Sequence, residues 1–482
     1  MRLIRQLLAE SLLLALAGAG AALILTLWAT DLTRFIPGGV TLDLTPDVRV
    51  VGFTLGLALL TGIAFGMAPA LRSTRADLVS ALKDGAPTAG SARSRLRNAL
   101  VVTQLAVSLL LLIVGGLFVR SLRNMRLADP GFDTSGLAVA EFDLMGARIE
   151  GERARRFYDE LFARLRLVPG VVSLSAASTV PLNGDGMRRS LTVPGYQLAP
   201  GEDGEVSVFD VAPDYFRTIG IAIVRGRPIT DSDRAGAPRV AVVNETFARH
   251  YWPGQHAIGK RINLGGASGP ATEVVGVAKD ARYWSIQEQP KAHFYIPMLQ
   301  AGYFGGAIHV RTTGDPALAL RAIRTEAAAL EPTAAVVQLR TLDKVRGDAL
   351  LPSRLAAALL SAFGALALVL AALGLYGVMS YVVALRTREI GVRLALGAAR
   401  RDVLRMVVGQ GMRLALIGLG AGLVVAAAVT RVLASQLFGL GATDPATYAG
   451  LAGLLGMVAL LASYLPARRA ARVDPMVALR SE

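Results

Sequence analysis

The sequence predicts a polytopic membrane protein: about six transmembrane α-helices, with one large α+β domain between the third and the fourth. Three observations predict this class. Charged residues make up 18% of the 482, against about 25% in a soluble domain, and mean hydropathy is +0.47. The apolar residues gather in long runs instead of spreading along the chain. Arginines crowd the ends of those runs.

A bilayer core needs about 20 apolar residues in helical form. The runs at 7–28, 50–69, 100–119, 355–383, 407–435 and 448–466 meet that need. None carries an acid at its centre. Glu10 and Arg413 lie near span ends, where they can reach the interface. Gly18, Gly20, Gly418, Gly420 and Gly422 predict close helix packing.

Loop charge predicts the orientation. Residues 71–99 carry Arg72, Arg75, Lys83, Arg93, Arg95 and Arg97. Residues 384–405 carry Arg386, Arg388, Arg393, Arg400, Arg401 and Arg405, and the tail carries Arg468, Arg469, Arg472 and Arg480. The stretch 436–447 has no Lys or Arg, and 29–49 has only Arg34 and Arg49. The arginine-rich segments fall on one side, which is therefore cytoplasmic, and the large domain faces outward. Arg120, Arg123 and Arg126 break the rule locally. The net charge of +15 follows from the same bias. Basic blocks interleaved with aromatics are absent, so nucleic-acid binding is not expected. Arg2, Arg5, an apolar run and small residues imitate a cleaved leader, but the repeat described next argues for a retained span.

The two membrane ends match. Arg5, Leu14, Ala15, Leu16, Gly18, Gly20, Ala21 and Leu23 align with Arg405, Leu414, Ala415, Leu416, Gly418, Gly420, Ala421 and Leu423. Further on, PALRSTRADLVSALK (69–83) aligns with PARRAARVDPMVALR (466–480). The second match is polar and keeps its order, which predicts duplication. The second unit has a span and an outer domain that the first lacks. The expectation is a piece of a longer duplicated protein, with a shortened first unit as the alternative.

The central region, 127–350, reads as α/β. Residues 137–144 form a strand, 152–167 a helix with Phe157, Leu161, Leu165 and Val168 on one stripe, and 171–178 a strand. The order recurs with strand 307–311, helix 316–330 and strand 334–339. Two β-α-β units predict a split α/β sandwich. Strand-like pieces at 240–243, 261–264 and 274–277 predict a second lobe inserted over 206–297.

Chemistry is sparse. There is no cysteine, HExxH helix or G-x-S-x-G elbow. His250, His256, His293 and His309 read as surface or packing residues. Ser175 and Ser178 have no evident base. Asp231 and Asp233, before Arg234, read as a solvated loop, and Trp252 and Trp284 as packing anchors. No G-x-x-x-x-G-K-[ST] is present, and the run 264–270 has no lysine, so no ATP-phosphate cradle is predicted. The chain is expected to be no enzyme, with no cofactor, no metal and no catalytic residue.

The string RTREIGVRLALGAARRDVL (386–404) resembles the coupling segment of the MacB/FtsX-like ABC permeases. VAPDYFRTIGIAIVRGRPIT (211–230), VAVVNETFARHYWPGQHAIGKRI (240–262) and VVGVAKDARY (274–283) are similar to that family's periplasmic core. The duplicated layout resembles its duplicated orphan permeases. On this resemblance 1–70 is the remainder of a first FtsX-like unit and 71–99 a cytoplasmic linker. Residues 100–120 are then a span, 127–350 the periplasmic core and 355–466 three spans with a coupling segment at 386–404. Residues 467–482 are a tail. The resemblance implies a cytoplasmic ABC ATPase partner, a homodimer or pseudo-dimer of permease units and contact with membrane lipid, and it leaves room for a periplasmic adaptor. The location is the bacterial inner membrane. The implied function is mechanotransmission to the outer domain for efflux or extraction of a hydrophobic or amphiphilic cargo. The alternative is an FtsX-type signalling scaffold. Helical spacing sets Ile390, Leu394 and Gly397 on one face while Arg386, Arg388, Glu389, Arg393, Arg400 and Arg401 stay wet. From spacing alone a loop lying on lipid headgroups is an equal reading. The resemblance assigns coupling to Arg388, Glu389, Ile390, Gly391, Arg393, Leu394 and Gly397.

Overall fold

The computed structural model describes residues 2–33, 47–73, 88–144, 146–184, 186–301, 306–396 and 398–472. It divides into two units, Met1–Leu96 and Arg97–Glu482.

In the first unit α1 (Arg2–Thr33) packs against α2 (Val48–Ser73). A Cβ added to Gly62 would stand 3.0 Å from Cβ of Ala15, so the absent side chain sets the approach. Gly18 and Gly20, expected at such a contact, have nothing within 4 Å of an added Cβ. The repeat's polar strings beyond Ser73 and Arg472, which hold Lys83 and Arg480, lie outside the described residues.

The second unit begins within α3 (Thr88–Leu127), which extends the expected span at both ends. Four helices among the described residues are long and apolar enough to cross a membrane: Leu96–Leu127, Leu351–Leu385, Arg400–Val432 and Pro445–Ala470. Shorter apolar stretches, Leu8–Ile24 and Val48–Ile63, lie in the first unit.

After α3 comes β1 (Leu137–Asp143), then α4 (Gly151–Leu165) and β2 (Val171–Ala177). On α4, Ala154, Phe157, Tyr158, Leu161 and Leu165 are buried, one stripe of a 3.6-residue period. A second such unit closes the domain. Strand β10 (Gly306–Thr312) leads into a helix, Ala317–Leu330, and then β11 (Ala335–Thr341). The strands line up as β11-β1-β10-β2, all antiparallel. This is the split β-α-β sandwich that the spacing predicts. Both helices cover one face, over Ala138, Ala140, Ile308 and Val310.

The inserted lobe differs from expectation. It begins at β3 (Met187–Thr192), before residue 206, and continues through β4 (Glu205–Val211), α5 (Tyr215–Ile219) and β5 (Ile223–Gly226). Next come β6 (Val240–Asn244), α6 (Glu245–Tyr251), β7 (Arg261–Leu264), β8 (Ala271–Ala278), β9 (His293–Pro297) and α7 (Met298–Ala301). Pairings run β4–β3–β7–β8–β6–β9 and return from β9 to β4, so the strands close into a small barrel. Closure removes the exposed edges that an open sheet would leave. Alternate residues of the shared wall face two cores. Val206, Val208, Ala241, Val243 and Phe294 fill the barrel. Phe209, Val211, Val242 and Tyr295 join Leu137 and Val139 in a second core.

Numbering the helices on, Ala317–Leu330 is α8, and α9 (Leu342–Ala349) leads through Leu350 into α10 (Leu351–Leu385). Pro352 sits in the first turn of α10, where a missing N–H costs nothing. Then follow α11 (Thr387–Ala395), α12 (Arg400–Val432) and α13 (Pro445–Ala470). Leu105, Leu109, Ile113 and Leu117 of α3 share a core with Ala371, Leu375, Ala415 and Ala459 of these helices. Gly418 and Gly422 meet α3, where an added Cβ would come within 2.7 Å of Leu105 and 3.0 Å of Ala106. Gly420 points into open space.

Candidate functional site: the helix at one end of the bundle and the seam at the other

The site the sequence singles out is α11. It follows α10 after a single residue, Arg386, and Thr387 Oγ1 donates to the carbonyls of Val383 and Ala384. Ile390 is 1% exposed and packs with Val403, Ala470 and Ala471. Leu394, half-buried, joins the same cluster, and Gly391 is buried. The apolar face therefore rests on α12 and the end of α13. Glu389 accepts from Arg393 Nη2 at 2.6 Å and stands 3.9 Å from Arg386 Nε. Arg393 Nη1 lies 2.9 Å from Met406 Sδ. Gly397 lies outside the described residues, and Arg388 is placed on the helix by its backbone.

Sequence reasoning missed two residues here. Val392 is 40% exposed and Leu396 is 83% exposed. They stand at i and i+4, flanking the Glu389–Arg393 pair, on the face away from Ile390. The signal was available: both are apolar but out of phase with Ile390 and Leu394. The solvent-facing stripe is therefore mixed, one ion pair beside two apolar side chains.

At the opposite end α3 enters the α/β domain. Met125 is buried in the core with Leu137, Tyr215 and Leu342, and Leu122 and Phe438 pack against that core. Arg346 of α9 donates to the carbonyls of Arg126 and Ala128 at 2.8 and 3.1 Å, satisfying the end of α3. Asn124 donates to the carbonyl of Gly439 at 3.2 Å, and Ser121 Oγ accepts from the Phe438 amide at 2.9 Å. Arg120 meets Asp444, the N-cap of α13, at 2.5 Å. The chain leaves α3 through Gly131 at φ +89°. A Cβ there would stand 2.2 Å from the Asp280 carbonyl oxygen, so only glycine fits.

The remaining candidates take structural places. Ser175 stands opposite His309 across β2 and β10, but its Oγ donates to the Ala212 carbonyl at 3.3 Å. No nucleophile–base contact forms. Neither ring nitrogen of His309 has a partner among the described residues, and burial pushes its pKa down to about 3. His293 meets Tyr295 Oη at 3.0 Å, and burial lowers its pKa to about 4. His250 meets Glu202 at 2.7 Å. His256 is exposed. Asp233 is not a solvated loop residue: it is buried and takes both Nη atoms of Arg227, at 2.7 and 2.8 Å. Proximity of that guanidinium holds its carboxyl low against the opposing effect of burial. Trp252 anchors the barrel core, and Trp284 packs partly buried beside Phe209. Among the described residues no cluster of three His, Asp or Glu could hold a metal.

Comparison with known families meets these two ends. Residues 99–331 match the MacB-like periplasmic core domain, and residues 361–475 match the FtsX-like permease C-terminal region. The chain belongs to the MacB/FtsX-like permease family. The FtsX-like region contains α11 and its bed on α12 and α13. The MacB-like region contains the junction at the end of α3. The macrolide export ATP-binding/permease protein MacB of Sodalis glossinidius is 28% identical over 297 residues, 58% of this chain and 44% of that protein. The pyoverdine export ATP-binding/permease protein PvdT of Pseudomonas entomophila is 27% identical over 280 residues, 54% and 40%. This chain thus spans less than half the length of these relatives. The crystal structure of the periplasmic region of MacB from Actinobacillus actinomycetemcomitans aligns at a TM-score of 0.33 with 15% identity, covering 48% of this chain and 97% of that one.

Proposed function

We propose that the chain is the permease part of an ABC-type mechanotransmission system in the bacterial inner membrane. A separate cytoplasmic ATPase docks on α11 through Val392, Leu396 and the Glu389–Arg393 pair, and Arg388 and Gly397 are assigned the same role by the family resemblance. Ile390, Gly391 and Leu394 pass its push into α12 and α13. The bundle then changes the posture of the outer domain and moves a hydrophobic or amphiphilic cargo outside the membrane. Two permease units complete the assembly, as two copies or as halves of a duplicated chain. Energy comes from the partner, and no chemistry is assigned to this chain.

The observation that carries this reading is Met125. A side chain from the outer end of a membrane helix is buried in the core of the α/β domain, so helix movement must be transmitted to the strands or must break that core. Export, not scaffolding, is the use that the names of the relatives favour.

Reconstitution with the partner ATPase tests it. Val392→Asp with Leu396→Asp should release the ATPase from a folded permease. Met125→Ala with Phe438→Ala should keep the ATPase bound yet stop cargo release. If both variants hold the ATPase and move cargo normally, the proposal fails.

A further inference from the structure

The basic side chains that break the charge rule at the outer end of α3 have no common explanation so far. Arg120, Arg123 and Arg126 follow the apolar run at three-residue steps. At about 1.5 Å per residue, Arg123 and Arg126 stand roughly 5 and 9 Å beyond Arg120. The headgroup layer is about 5–8 Å deep on each side of the core, and arginine can reach back into it. Arg120 is taken by Asp444. Among the described residues no carboxylate pairs with Arg123 or Arg126, and the partners of Arg346 are backbone carbonyls.

These residues border an open hollow of about 600 Å³ lined by Arg126, Leu127, Asp129, Asp133, Lys279 and Arg346. Two of its groups are acids, and each is already engaged. Asp129 meets Lys279 at 2.9 Å, and Asp133 meets Arg311 at 3.1 Å. What remains uncompensated is positive: the Arg126 guanidinium and the free edge of Arg346. Two arginines lining one hollow offer guanidinium groups suited to the forked oxygens of a phosphate. Leu127 beside them is 75% exposed, an apolar surface next to the two arginines.

We propose that this hollow binds the phosphate of an anionic glycerophospholipid headgroup in the leaflet that faces the α/β domain. It does so at the point where α3 hands over to β1. The assignment rests on the reading of α3 as a membrane span. A bound lipid would brace Arg126 against Arg346 and so stiffen the joint that carries movement outward.

The full-length chain in nanodiscs, followed by native mass spectrometry, tests this. The probes are phosphatidylglycerol and phosphatidylcholine at matched mole fraction. The wild type should retain phosphatidylglycerol preferentially. Arg126→Gln should cut that retention about fivefold, the scale of one basic side chain near an anionic surface. Arg126 is exposed and its side chain has no partner to lose, so this variant should fold; Arg346→Gln, which also uncaps α3, serves as a second variant with melting measured alongside. Excess inorganic phosphate should leave the retained lipid in place. Equal retention of the two lipids, or an unchanged Arg126→Gln, overturns the site. Displacement by inorganic phosphate alone overturns the lipid as its ligand. Failure of the wild type to enter nanodiscs would sink the span reading itself, whereas insertion without lipid preference sinks only this proposal.

Discussion

Arg120 on α3 and Asp444 at the start of α13 form an ion pair of 2.5 Å at the outer end of the helix bundle. Asp444 also caps α13 by accepting from the Thr447 amide at 2.9 Å. One carboxylate thus closes a helix terminus and ties two helices together. This gives Arg120 a partner on the side of the membrane where arginine is least expected.

Asp444→Ala should therefore cost more than Arg120→Ala. The first loses a cap, about 1 kcal/mol, as well as the pair, while the second loses only a half-exposed pair. Thermal unfolding in mild detergent of both single variants and the double variant checks this. Equal costs would mean that the cap contributes nothing.

Met125→Ala should destabilise the junction by about 2–5 kcal/mol, the range for opening a cavity in a packed core. The loss should appear as faster hydrogen exchange in β1 and α9, whose Val139, Leu342 and Val345 share that core. Exchange in the barrel strand β7, whose Ile262 and Leu264 pack in another core, should stay unchanged.

Substitutions on α11 should divide by face. Ile390→Asp puts a carboxylate into the cluster with Val403 and Ala470 and should detach the helix, at a cost of several kcal/mol. Leu396→Asp changes a residue already in solvent and should leave melting unaltered. Limited proteolysis after Arg386 and Arg393 would separate them, with cleavage accelerated only in Ile390→Asp.

Acid should weaken the outer domain. His293 and His309 titrate at about 4 and about 3 in the fold because burial disfavours the imidazolium, against an unfolded value of about 6.5. Between these limits the unfolded chain binds more protons than the native one, so stability falls as pH drops below about 6.5. The loss ends once the native histidines also protonate, and is on the order of 8 kcal/mol at most for the two together on this scale. Melting at about pH 7.5 and about pH 4.5 should show the drop, and His309→Phe should flatten it.

Gly131→Ala should be disproportionately costly for a single turn residue. The residue combines a positive φ with an approach to the Asp280 carbonyl that admits no Cβ. A melting temperature within error of wild type would show that the junction relaxes freely.

Much of this architecture was legible in the chain because each signal was local. Runs of about 20 apolar residues have one stable use, and the stripe Phe157, Leu161, Leu165 has one helical face to bury. The two β-α-β units were read from strand and helix periods alone. Barrel closure was not, because the return pairing of β9 to β4 joins residues some 86 apart, His293 with Ser207, and pairing partners leave no mark on either strand's own pattern. The same limit applied to small residues. Gly418, Gly420 and Gly422 look alike in sequence, yet only the first and last face α3, since a 3.6-residue turn sends their neighbour the other way.

The sequence by itself determined the class, the approximate places of the four long apolar helices, the two-unit α/β domain and the family. All of these follow from composition, periodicity and contiguous strings. Only the tertiary structure decided which face of α11 is spent on α12 and α13 and which remains for a partner, and that Asp233 is clamped by Arg227 and not loose in solvent. It also decided that Met125 belongs to the outer domain's core. These are questions of which surfaces meet, and burial between distant segments is a property of the packed chain that no single stretch carries.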